Sequence, residues 1–136
     1  MEVQIAALCD SAEDYGGKLC ILGTFDTILA RSFPFHHPKC SVALRLLLRH
    51  DDEGAHNFKI AIVDEDGKPA FPPVDLGPPV QVRMPDNEVS FTHNLVFHFQ
   101  QVGFERAGFY SIDITVNGRA LAAIPFRIVQ YHPPAP

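Results

Sequence analysis

Apolar and polar residues alternate with a period of two along much of this chain. Phe91, His93, Leu95, Phe97 and Phe99 fall on one face of an extended segment, and Thr92, Asn94, His98 and Gln100 on the other, with Val96 the one exception. Val42, Leu44, Leu46 and Leu48 oppose Arg45 and Arg49 in the same way, and Phe58, Ile60 and Ile62 oppose Lys59. Successive side chains of a strand point to opposite faces, so this pattern predicts half-buried strands; no segment holds a 3.6-residue apolar period beyond a turn or two. Two N-terminal stretches differ: Val3 to Cys9 is nearly all apolar, and Leu19 to Leu22 is an unbroken apolar run. These predict strands covered on both faces. Gly23 follows directly and predicts a bend in the long segment from Lys18 to Arg31 as it crosses the fold.

Turn residues separate these runs at Tyr15-Gly16-Gly17, Asp66-Gly67 and Asn117-Gly118. The last turn carries a parity constraint. Tyr110, Ile112, Ile114 and Val116 share one face, and beyond the turn Ala120, Ala122, Ile124, Phe126 and Ile128 share one face. A two-residue loop would set those faces against each other. A three-residue loop of Val116, Asn117 and Gly118, with Gly118 left-handed in a bulge, is therefore expected, pairing Ile114 with Ala120, Ile112 with Ala122 and Tyr110 with Ile124. The expected fold is all-β: a two-sheet antiparallel sandwich, immunoglobulin-like or jelly-roll-like, forming a single domain over 1–130 with a flexible proline-rich tail at 131–136. Prolines at 69, 72, 73, 78, 79 and 85 mark an irregular connection or a poor edge strand.

Composition narrows the functional classes. With 46% hydrophobic and 20% charged residues among 136, the chain is of globular type and expected to fold around one core. The net charge is -5, and Lys and Arg are scattered singly, from which neither nucleic acid nor an anionic membrane is expected as a partner. No positive start with an apolar run opens the sequence, and no apolar stretch approaches the ~18 residues of a membrane span, so a cytoplasmic location is expected. Cys9, Cys20 and Cys40 form no C-x-x-C pair; they read as buried small apolar residues, with Cys9 and Cys20 on neighbouring strands.

Candidate chemistry is sparse. Histidines at 36, 37, 50, 56, 93, 98 and 132 show no metal-ligand spacing, and His93 and His98 point to opposite faces of one strand. Asp64-Glu65-Asp66-Gly67 lacks the distal carboxylate of a calcium loop and reads as a hairpin turn, and Asp51-Asp52-Glu53-Gly54 as a solvated loop. No catalytic, metal or cofactor residue is assigned, and no nucleophile elbow or phosphate loop is present. The leading expectation is a non-enzymatic protein-interaction or structural module, with a protein partner or self-association. Its candidate interaction loop is Phe33-Pro34-Phe35-His36-His37-Pro38, with Phe33, Phe35, His36 and His37 as the contact residues. Two alternatives are a metal- or ligand-dependent enzyme using loop histidines and carboxylates, and a calcium-dependent membrane-binding sandwich resembling C2 domains.

Gly17-Lys18-Leu19-Cys20-Ile21-Leu22-Gly23-Thr24-Phe25-Asp26, with the Asp64–Gly67 turn and Gly108-Phe109-Tyr110 late in the chain, resembles a family of small uncharacterised bacterial β-sandwich proteins. The resemblance implies a β-sandwich and carries no established function. Ala107-Gly108-Phe109-Tyr110-Ser111-Ile112 also looks like the strand of immunoglobulin-like sandwiches where a tyrosine hydroxyl ties a corner, although the paired Cys and the Trp of true immunoglobulin domains are missing.

Overall fold

A computed structural model describes residues 1–75 and 77–135, with the side chains of 73–75 outside the description. The strands, in chain order, are β1 (Glu2–Tyr15), β2 (Lys18–Thr24), β3 (Thr27–Ala30), β4 (Phe35–Arg49), β5 (Gly54–His56), β6 (Phe58–Asp64), β7 (Pro69–Asp75), β8 (Val80–Val82), β9 (Ser90–Phe104), β10 (Gly108–Val116) and β11 (Arg119–Gln130), with a 3-10 turn at His50–Asp52. A first sheet of order β2-β1-β4-β9 packs on a second of order β3-β11-β10-β6-β7, and β5 pairs with β8 apart from both. The fold is an all-β sandwich, as the alternation predicts.

The core lies where the alternating faces meet. Val42, Leu44, Leu46 and Leu48 from β4 face Phe58, Ile60 and Ile62 from β6 and Ile112 and Ile114 from β10, all buried. At one end Phe104, Tyr110 and Phe126 pack with ring centroids 5.1–6.0 Å apart. The Tyr110 hydroxyl there donates to the Arg106 carbonyl at 2.6 Å, the corner tie expected from Gly108-Phe109-Tyr110.

The pairing is not wholly antiparallel: β3 runs parallel to β11, from Thr27↔Arg127 to Ala30↔Gln130. The chain leaves the first sheet after Gly23 (φ +71°) and enters the second at Thr27, so the expected crossing is present. Glycine is favoured at this bend because φ +71° is a conformation that L side chains rarely adopt.

The last hairpin corrects one expectation. Asn117 (φ 52°) and Gly118 (φ 78°) form a tight two-residue turn with Val116 opposite Arg119, not a three-residue loop. The extra residue that parity demands is Leu121, between the pairs Thr115↔Ala120 and Ile114↔Ala122. Ala122, Ile124, Phe126 and Ile128 therefore share the expected face, but Ile112 meets Ile124 and Tyr110 meets Phe126, two residues beyond the expected partners. The turn is tight because Asn117 is gripped from the side. Its N–H donates to the Asn57 carbonyl at 2.8 Å, and its Oδ1 accepts from the Asn57 N–H at 3.0 Å.

The first hairpin does not stay in its sheet. β1 pairs with β4 only as far as Cys9↔Ser41, while its second half continues against β2. This ribbon folds over the outer face of the first sheet, where Ala12, Leu19 and Ile21 pack on Cys9, Ala43 and Val96. Its turn is held by the Gly17 carbonyl, which accepts from Arg45 Nη1 at 3.2 Å and Asn94 Nδ2 at 3.1 Å. Two-sided cover, expected for Val3 to Cys9 and for Leu19 to Leu22, is met only at the successive buried residues Leu8 and Cys9; Ile5 and Leu22 are exposed. Cys20 departs from the buried reading: Leu19 and Ile21 face the sheet and turn it outward to solvent. Its partner across the ribbon is Glu13, not Cys9.

Of the proline-rich stretch, Leu76 lies outside the described residues. Pro69–Asp75 forms β7 at the edge of the second sheet, where missing N–H groups cost no internal ladder bond.

Candidate interaction surface

The segment expected to be an interaction loop is largely strand. Phe35, His36 and His37 open β4 and pair with Phe104, Gly103 and Val102 of β9. Pro38, the end of the expected loop, does not interrupt the strand, since it has no N–H to place in the ladder and Gln101 across from it takes φ 52°. Strand alternation then separates the two histidines. His36 turns to Gly103, where an added Cβ would meet its Nε2 at 3.2 Å, and Phe33 is half-buried against the core. Phe35 and His37 share a face, with ring centroids 6.3 Å apart, and Phe25 joins them at 5.8 Å from His37.

Because β1 leaves β4 at Ser41, residues 35–40 of β4 have a ladder partner on the β9 side alone. Across that gap stands β3. The result is an open groove of about 420 Å³ lined by Phe25, Ile28, Leu29, Phe35, His37 and Asp10. The floor is His37, whose Nε2 is buried with no hydrogen-bond partner. Burial pushes the imidazole below its ordinary value, against the pull of the Asp10 carboxylate, which favours the cation. Beneath it, burial raises the Cys40 thiol to about 11, so Cys40 is a protonated core residue rather than a nucleophile.

The groove opens onto an exposed apolar patch that the sequence reading missed. Leu29 is 59% exposed and sits across from Val129 (36%) in the β3–β11 ladder, while Phe109 (64%) pairs with Arg127 one step along the same outer face. The alternation of β11 could have signalled it, since Pro125 and Val129 interrupt what should be a polar face.

The remaining histidines and acidic loops do not gather around this groove. His98 Nδ1 bonds the buried Ser41 hydroxyl at 2.9 Å, His56 bonds the Asp52 carbonyl and Asn117, and His50 bonds the Glu88 carbonyl. The Asp64–Gly67 segment is the expected turn: Asp64 Oδ1 accepts from the N–H groups of Asp66 and Lys68, and Oδ2 accepts from Arg106 Nη2 at 3.0 Å. The Lys68 N–H first, then that of Asp66 and the Arg106 charge, hold the Asp64 carboxyl below the usual range. Among the described residues no three His, Cys, Asp or Glu side chains are grouped to hold a metal ion, and no helix is long and apolar enough to cross a membrane.

Comparison with known proteins fixes the family. The chain belongs to the family of unknown function DUF6941, which it matches over residues 4–129. The resemblance to a family without an established function is thus borne out. No curated protein matches the chain. Among solved structures, Pseudomonas fluorescens alkylpurine DNA glycosylase AlkC bound to DNA containing an abasic site analog is similar at 13% identity and a TM-score of 0.51. The match covers 76% of this chain and 27% of that one, and at this identity it speaks for the fold. It also overturns one expectation. Nucleic acid was set aside on net charge, yet a chain containing this fold is DNA-bound; a whole-chain charge of -5 does not describe any one face.

Proposed function

We propose that this sandwich is a non-enzymatic interaction module that seats an apolar side chain of a protein partner in the groove between β3 and the start of β4. The observation that carries the reading is the groove itself: aromatic and aliphatic walls from Phe25, Leu29 and Phe35, continuous through Leu29 with the exposed Val129 and Phe109. Buried aromatic and aliphatic anchors in such recesses carry most of the affinity of protein interfaces. Asp10 at the rim favours a partner segment with Lys or Arg beside its apolar anchor. The strand order β3-β11-β10-β6-β7 and the Tyr110 corner support an immunoglobulin-like reading of the scaffold.

A second reading, contact with nucleic acid, is favoured by the likeness to the DNA-bound chain. One experiment separates the two. In NMR titrations, short extended peptides with a Phe-Lys pair are expected to shift the resonances of Phe25, Leu29, Phe35 and His37, and Phe-Glu peptides to shift them less. Asp10→Asn should erase that preference. DNA, with or without an abasic site, is titrated in parallel. No peptide-induced shift in the groove, alongside shifts with DNA, would replace the first reading by the second; silence in both arms sinks both.

A further inference from the structure

The two sheets have four edges, and three are blunted in ways that discourage pairing with another chain. β7 carries Pro69, Pro72 and Pro73, β3 is four residues long, and β2 spans seven residues from Lys18 to Thr24 with a bend at Gly23. The fourth is β9. It is fifteen residues long, contains no Asp, Glu, Lys, Arg or Pro, and pairs with β4 on one side; among the described residues its other side has no ladder partner. Proteins that function as monomers protect long edges with charge, proline, bulges or a covering segment. Apart from Phe71 of β7, which packs edge-on against Phe99 with ring centroids 6.3 Å apart, this edge has none of these before Gln101, where φ 52° interrupts the regular strand.

We propose that the β9 edge is an interface between two copies of this chain, joined antiparallel over Phe91 to Phe99 about a two-fold axis normal to the sheet at Leu95. The inner face argues that the edge is incomplete alone: Phe91, Leu95 and Phe97 pack against the core yet stay half-buried, because no strand flanks them. A neighbouring strand would cover them. The choice of a second copy rests on complementarity. A two-fold normal to the sheet keeps like faces together, so Phe91, His93, Leu95, Phe97 and Phe99 of one copy meet the same set of the other, with Leu95 opposite its own copy. Thr92, Asn94, Val96 and His98 meet theirs, and no carboxylate or ammonium opposes its like. A foreign peptide added to an edge is selected through pockets for its alternate side chains. Here the inner face is core and the outer face at Val96 lies under the β1–β2 ribbon. The strand that supplies a matching pattern is β9 itself. This interface leaves the groove by β3 free and does not rest on the groove's proposed role.

Sedimentation velocity is expected to give twice 15.1 kDa for the wild type and 15.1 kDa for Leu95→Lys, which places a charge on the self-facing strand. Because Leu95→Lys can also disturb the core, amide exchange of the wild type supplies a second reading. Every amide from Phe91 to Phe99 should be protected in the dimer, with alternate ones losing protection on dilution to monomer. A wild type monomeric throughout the micromolar range, or a dimer in which alternate β9 amides exchange freely, would overturn the proposal.

Discussion

The two hairpins of this molecule use similar turn chemistry and reach opposite ends. β10–β11 stays in its sheet, with Ile112, Ile114, Phe126 and Ile128 buried on one face. β1–β2 leaves its sheet at Cys9 and doubles back over the outer face. The difference arises from what each ribbon can bury. β10 and β11 offer one apolar face to an existing core, whereas the second half of β1 offers Ala12, and β2 offers Leu19 and Ile21, to a small apolar site that Ala43 and Val96 create on an otherwise polar surface. One hairpin is part of the core; the other is a cover held by few contacts.

The largest expected effect comes from breaking the core hairpin. Ile114 is fully buried between β6 and β11. Ile114→Ala removes its packing and leaves a cavity, costing about 2–5 kcal/mol. Urea denaturation is the measurement. A loss below that of any ribbon variant would erase the distinction between core and cover.

A smaller, local effect is expected at the ribbon. Arg45 ties the Gly17 carbonyl to Asn94 Oδ1 and Thr92 Oγ1 at 2.8 Å each for the latter two. Arg45→Ala removes that anchor from a half-exposed site at a global cost of about 1 kcal/mol. Its signature is local: faster amide exchange across residues 10–24, and faster alkylation of Cys9, which the ribbon buries. If exchange in β10 and β11 rises as much as in β1 and β2, the ribbon opens only with the whole fold and is no cover.

This contrast also marks what the sequence could disclose. β4, β6, β9 and β10 are legible because each has one face on the core, which writes a period of two. The parity of β11 was legible, and it demanded one extra residue. The location of that residue was not, because Asn57 and His56 clamp Asn117 from a segment sixty residues away. Val96, the single break in the alternation of β9, was the trace of the ribbon docking above it; without knowing that β1–β2 folds back, an apolar residue on a polar face has no address. The groove was half legible. Aromatic residues near His37 were apparent, but their loop reading failed because β4 starts at Phe35, and the gap they line exists only where β1 departs.

The smallest expected effect concerns the site that this departure opens. His37 lies where β4 has lost β1 as a neighbour, and burial holds its imidazole below the ordinary value of 6.5 while Asp10 opposes that shift. The folded protein therefore binds fewer protons at this residue than the unfolded chain, and stability rises with pH. The contribution is present above 6.5 and is lost as the pH falls through the folded value. His37→Asn should flatten the dependence of unfolding free energy on pH between about 7 and 5. In that window the carboxyls of Asp52 and Asp64, both held below 3.8, stay ionised and do not confuse the reading. An unchanged slope would mean that the imidazole is hydrated through the groove, so that β1's departure exposes this residue instead of burying it. Asp10→Asn removes the charge that favours the cation and should therefore steepen the slope; a slope that falls instead would mean that burial does not set the shift of His37.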